Sequence, residues 1–162
     1  MRTFEDIDNR SWHINLTLGA AMQIDQAKVL DKDGNAIMLI SGDPQAILKQ
    51  IVDDYVVLRI MGIMVQGQLT DPNALQTEFY DKISQAIFSD VKYALWEELA
   101  DFFPQATILF SRLIRSHKDL LRRSEKLQGK ITPKMDQELA KIMDKAEQEA
   151  LESIEELSTT TS

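Results

Sequence analysis

Charge is sorted into blocks along this chain, and that sorting limits the possible folds more than any other feature. Residues 1–111 carry 8 Lys/Arg against 16 Asp/Glu, residues 112–130 carry 7 against 2, and residues 131–162 carry 3 against 8. The first boundary follows the segment Leu95-Trp96-Glu97-Glu98-Leu99-Ala100-Asp101-Phe102-Phe103-Pro104, where an apolar helix face runs into two adjacent phenylalanines and a proline. Phe102 and Phe103 are expected to anchor the end of a core. The arrangement expected is a compact body over 1–111, a basic helix over 112–130, an acidic amphipathic helix over 131–157 and a disordered tail over 158–162.

The 162 residues and 44% hydrophobic content suit one domain with an extension and a true core. A net charge of −8 argues against a protein whose main task is to coat nucleic acid, since phosphate-tracking surfaces need a basic excess. The absence of cysteine excludes disulfides and thiolate metal sites. The N-terminal residues lack the apolar run of a signal peptide. The most apolar stretch, Tyr55 to Val65, is interrupted by Arg59 and spans about half of the roughly 20 residues a membrane helix needs. No membrane association is expected.

Periodicity predicts an α+β fold that is mainly α. Trp12, Ile14, Leu16 and Leu18 alternate with His13, Asn15 and Thr17, which predicts a strand paired with Thr3–Glu5 in an N-terminal β-hairpin, with Asp8-Asn9 in the turn. Ala20 to Lys28 has helical composition, and Asp31–Asn35 is a loop. Asp43-Pro44 pairs an N-cap with a proline at the first helical position, and Ile47, Ile51, Tyr55, Leu58 and Met61 follow at helical spacing. The stretch to Val65 suits either a buried helix or a strand; the cap and the length favour the helix. Thr70-Asp71-Pro72 repeats the start signal. From Leu75 to Leu99 apolar residues recur every four positions, which drifts on a 3.6-residue helix and predicts a break near Ser89-Asp90. Gly129 and Pro133 predict a second break, with Thr132 capping the last helix.

No catalytic constellation emerges. His13 and His117 are the only histidines, and no spacing suits zinc. The Asp31–Asn35 loop lacks the twelfth-position glutamate of a calcium loop, where Gly42 falls. Asp53-Asp54 and Glu97-Glu98 are adjacent pairs that diverge by about 100° on a helix and suit solvated faces. Phosphate loops and nucleophile elbows are absent. No enzyme activity and no cofactor are therefore expected. The basic stretch, including Arg115, Arg122 and Arg123, offers either a phosphate-binding side or, without stacking aromatics, a match within the chain or between subunits to the acidic helix. Leu139, Met143, Ala146, Ala150, Ile154 and Leu157 form a narrow apolar stripe on that acidic helix, which needs a partner: its own body, another copy or a different helical protein.

Two sequence blocks resemble a known family. Phe4-x-Asp6-x-x-x-Arg10-x-Trp12 opens the hairpin, and Ala94, Leu95, Glu97, Glu98, Leu99, Asp101, Phe102, Phe103 and Pro104 close a later helix. Over roughly residues 3–115 the chain resembles tail-assembly chaperones of long-tailed bacteriophages. The resemblance implies a small, often self-associating protein of the host cytoplasm. Such proteins bind the helical tape-measure protein, or another tail protein, and keep it soluble until the tail tube forms. The helix over 133–157 departs from that pattern. Two other classes stay open: a structural tail or connector subunit of the virion, and a nucleic-acid-binding regulator acting through 112–130.

Overall fold

A computed structural model describes the backbone of residues 1–159 and the side-chain surroundings of residues 1–149. Its architecture is α+β and mainly helical, and the chain divides into a unit over Met1–Arg115 and a second from Ser116 onward.

The first unit begins with an antiparallel hairpin, β1 (Arg2–Glu5) and β2 (Ser11–Ile14), in which Phe4 faces Trp12 and Arg2 faces Ile14. Asn9 takes the positive φ of the expected turn, 60°. Trp12, Ile14 and Leu16 are buried as alternation predicts. Leu18, expected on the same face, is exposed instead. Thr17 accepts the Ala20 amide on its side-chain oxygen and so turns the chain into α1 (Leu18–Ala27). In the Asp31–Asn35 loop, Asp31 Oδ1 accepts the amides of Asp33 and Asn35.

The long helix expected from Pro44 is two helices. Asp43 caps α2 (Pro44–Gln50), and Asp53 caps α3 (Asp54–Val65) by accepting the Tyr55 amide, so half of the Asp53-Asp54 pair is a helix start. The restart rotates Tyr55 off the apolar stripe, leaving it 76% exposed. Thr70-Asp71-Pro72 does not open a helix, because Asp71 Oδ1 accepts the Asn73 amide and closes a turn. A short α4 (Leu75–Glu78) follows, then a turn over Tyr80–Lys82. The break expected near Ser89-Asp90 falls earlier, at Phe79–Ser84. There Phe79 is fully buried edge-on to Trp12, with centroids 5.1 Å apart, and Ser84 caps α5 (Gln85–Phe102). The hairpin and α3 pack on α5, whose Val91, Leu95 and Leu99 are buried to 0% exposure. Burying each such side chain contributes about 1.5–3 kcal/mol.

Pro104 ends α5 and opens a short turn into α6 (Thr107–Thr159). Phe103 is buried and stacks on buried Phe110 at 6.2 Å, and half-buried Phe102 meets Phe103 edge-on at 5.0 Å. The break predicted at Gly129–Pro133 does not occur, since α6 runs through Pro133. Pro133 removes one helical hydrogen bond, to the carbonyl of Gly129 four residues back. Both residues are exposed, so water can take that acceptor, and Gly129 has no side chain to crowd the ring. Thr132 does not cap; its hydroxyl donates to the Gln128 carbonyl at 2.9 Å. The helix also includes Ser158 and Thr159, placed in the frayed tail by sequence, while 160–162 lie outside the described residues.

Candidate partner-binding surface

The polar groups of the first unit are tied into its framework. Asp6, 4% exposed, accepts Trp12 Nε1–H at 2.9 Å and the amides of Asp8 and Arg10 at 2.9 and 3.0 Å. Burial pushes its pKa up, but these donors and the Arg10 charge outweigh burial and hold the carboxyl below its usual range. The Arg10 guanidinium lies 4.1 Å from the Trp12 ring centroid, pairs with Glu78 at 2.9 Å and donates to the Gln68 carbonyl. Glu78 also accepts the amides of Thr70 and Asp71. The Thr70 amide and then Arg10 are the main causes that pull its pKa down to about 2.

The Glu97-Glu98 pair is not the solvated face expected. Glu98 is buried, accepting the Leu16 amide at 2.8 Å and pairing with the Met1 ammonium at 2.9 Å. Glu97 and Asp101 remain at the surface, each 3.0 Å from the Arg2 guanidinium. The two sequence blocks behind the family resemblance therefore border one junction, with β1 on α5. Their charged residues position the fold. Lys92, nearly buried, pairs with Asp54 at 2.7 Å and lies 4.9 Å from the Phe88 ring centroid.

A groove of about 660 Å³ opens between α3, α4 and α5, lined by Tyr55, Leu58, Arg59, Tyr80, Ile83 and Phe88 among others. Tyr80 donates to the Leu58 carbonyl at 3.3 Å, and a Cβ at Gly62 would collide with its hydroxyl. Asp54, the carboxylate in this lining, is the one paired with Lys92. Among the described residues, no group of three or more His, Asp or Glu is placed to hold a metal ion, and no helix is long and apolar enough to cross a membrane.

The second unit has the opposite character: no side chain over 116–149 is buried. Leu120 is 63% exposed, Leu139 53% and Ile142 64%. Leu139, Met143 and Ala146, predicted as binding residues, share one stretch of α6 and all face solvent. The side chains of Ala150, Ile154 and Leu157 lie outside the described residues. Arg115 falls in the first unit, whereas Arg122 and Arg123 fall in the second; all three are exposed, and Arg122 stands 4.0 Å from Asp119.

Sequence reasoning stopped short on this surface. The apolar stripe does not begin after Pro133: Leu120, Leu127, Ile131 and Met135 extend it toward the N-terminus. Around its centre is a shallow hollow of about 390 Å³, bounded by Ile131, Lys134, Met135, Glu138, Leu139 and Ile142. These six residues make two consecutive four-residue sets, 131/134/135/138 and 135/138/139/142, each the kind of hole that receives a knob from a facing helix. The continuity of the helix through Pro133 is what brings them together. No family model, curated protein or solved structure matches this chain.

Proposed function

We propose that this chain is a non-enzymatic assembly protein that engages helical partners through α6, acting as a tail-assembly chaperone on a tape-measure or similar coiled-coil-rich client in the host cytoplasm. The observation that carries the pairing role is the exposed apolar stripe of the second unit, with a shallow hollow at its centre. An apolar seam of this length in water is stabilised by covering it with another apolar helix face. A client rich in such seams aggregates for the same reason, and reversible pairing keeps it dispersed. The resemblance of residues 3–115 to tail-assembly chaperones supplies the client class.

Co-expression tests this reading. The tape-measure protein is expected to stay soluble and co-purify with the intact chain, and to precipitate when Leu139 and Ile142 are both changed to Asp. Equal client solubility with and without the chain would overturn it. Mass spectrometry of purified particles separates a chaperone, expected to be missing from them, from a structural tail subunit.

A further inference from the structure

Two columns of the stripe on α6 keep an eleven-residue spacing. One edge of the stripe is acidic, and the other carries a basic column with Glu138 and Glu149 standing between it and the seam. Leu120, Ile131 and Ile142 stand eleven apart, as do Ser124, Met135, Ala146 and Leu157. A seven-residue repeat continued from Leu120 and Leu127 would instead put Lys134 and Lys141 into the seam. Eleven residues over three turns give 3.67 per turn, so the stripe follows a nearly straight, slightly right-handed path. Immediately before the Ser124 column lies a basic one, Arg112, Arg123, Lys134 and Lys145. Immediately after it lies an acidic one, Glu125, Asp136 and Glu147. Each stands about 100° from that column, on opposite sides of the seam.

We propose that α6 pairs with α6 of a second copy of this chain, parallel and in register, making a two-stranded coil along this stripe. In a parallel pair the basic edge of each helix lies along the acidic edge of the other on both sides. Arg123, Lys134 and Lys145 then sit beside Glu125, Asp136 and Glu147 of the second copy. In an antiparallel pair, basic edge would meet basic edge and acidic would meet acidic.

The blockwise charge argues the other way, since an antiparallel pair sets the basic half over the acidic half. Much of the excess of the basic half, however, lies on Arg115, Lys118, Arg122 and Lys126, on the side of the helix turned from the stripe. Those outer charges are separated across the pair by more than the interaxial distance of about 8–10 Å. Screening over about 8 Å at physiological salt leaves the seam edges to decide the orientation. The continuous helix also places the basic and acidic halves end to end, so they cannot neutralise one another side by side within one chain.

The inference rests on the same reading of α6 as a pairing helix, and makes a second copy its occupant when no client is present. Because the chain has no cysteine, single introduced cysteines report register directly. Leu120→Cys and Ile142→Cys, both at exposed positions, are each expected to oxidise to a self-linked dimer when the full chain is studied alone. Mixing the two is expected to give no mixed disulfide, because the thiols would stand about 33 Å apart along the axis. Light scattering of the unmodified chain is expected to read twice 18.5 kDa at micromolar concentration. Changing Glu125, Asp136 and Glu147 together to Lys is expected to weaken pairing at least about tenfold, with recovery on mixing with a chain carrying Glu at 123, 134 and 145. A monomer by light scattering, a mixed disulfide, or no effect of the charge changes would overturn the proposal. A monomer that still solubilises the tape-measure protein would sink this pairing alone, and a dimer that fails to do so would sink the chaperone reading alone.

Discussion

Leu99 and Leu139 are the same residue on helices of one chain, yet Leu99 is 0% exposed and Leu139 53%. Around Leu99, the hairpin, α3 and α5 enclose a core of large apolar side chains such as Trp12, Phe79, Leu95 and Trp96, and even carboxylates such as Asp6 and Glu98 are buried with donors. Around Leu139, apolar side chains recur with equal regularity and nothing among the described residues covers them. Hydrophobicity is thus used in two ways. The first unit spends its apolar surface on itself, and the second presents it. Stability should respond to substitution in the first, and association in the second.

The largest effect should come from Phe79→Ala, which removes the ring that meets Phe4, Trp12 and Tyr80. A loss of about 3–5 kcal/mol is expected from chemical denaturation of the first unit, and a loss below about 1 kcal/mol would contradict the packing described. The adjacent glutamates sharpen the contrast within one helix. Glu98→Ala leaves the buried Leu16 amide without its acceptor and should cost about 1–3 kcal/mol. Glu97→Ala loses only a surface ion pair with Arg2 and should cost at most about 1 kcal/mol.

Acid should act on the first unit through its depressed carboxyls. Glu78 is lowered from 4.5 to about 2, so its contribution is complete above the unfolded value and is lost as pH falls from about 4.5 through about 2. Asp6, also lowered, acts in the same direction. Thermal melts across that range should show Glu78→Gln flattening the decline; an unchanged slope would contradict the Thr70 and Arg10 contacts. The smallest effect on folding is expected for Ile142→Asp. It should shift the melt of the first unit by no more than about 0.5 kcal/mol while reducing self-association.

Some of this contrast was legible in the sequence. The alternation from Trp12 to Leu16, the Asp8-Asn9 turn and the Asp43-Pro44 cap are local signals, and each corresponds to its element. The restart at Asp53 was also written locally, but an aspartate before an apolar run resembles one half of an acidic surface pair. Phe79 left its helix because the Trp12 face offered it burial, a long-range gain that four-residue spacing does not record. Glu98 was unreadable for a similar reason, since its partner amide lies 82 residues earlier and only the fold brings them together. Pro133 misled in the other direction: on an exposed helix face the bond it removes goes to water, and its local penalty does not end the helix.

A repeat of eleven also bears on how such a chain can change length in evolution. Loss or gain of eleven residues in α6 removes or adds three turns and returns every column to its own line, so a shortened or lengthened relative would keep a usable seam. Loss of nine would rotate everything downstream by about 164°, at about 98° per residue, and split the seam onto opposite sides. Natural variants of this helix should therefore favour changes of eleven, or of four or seven, which turn it by only about 33°, and a relative with a change such as nine should have rebuilt its apolar columns on one side of it.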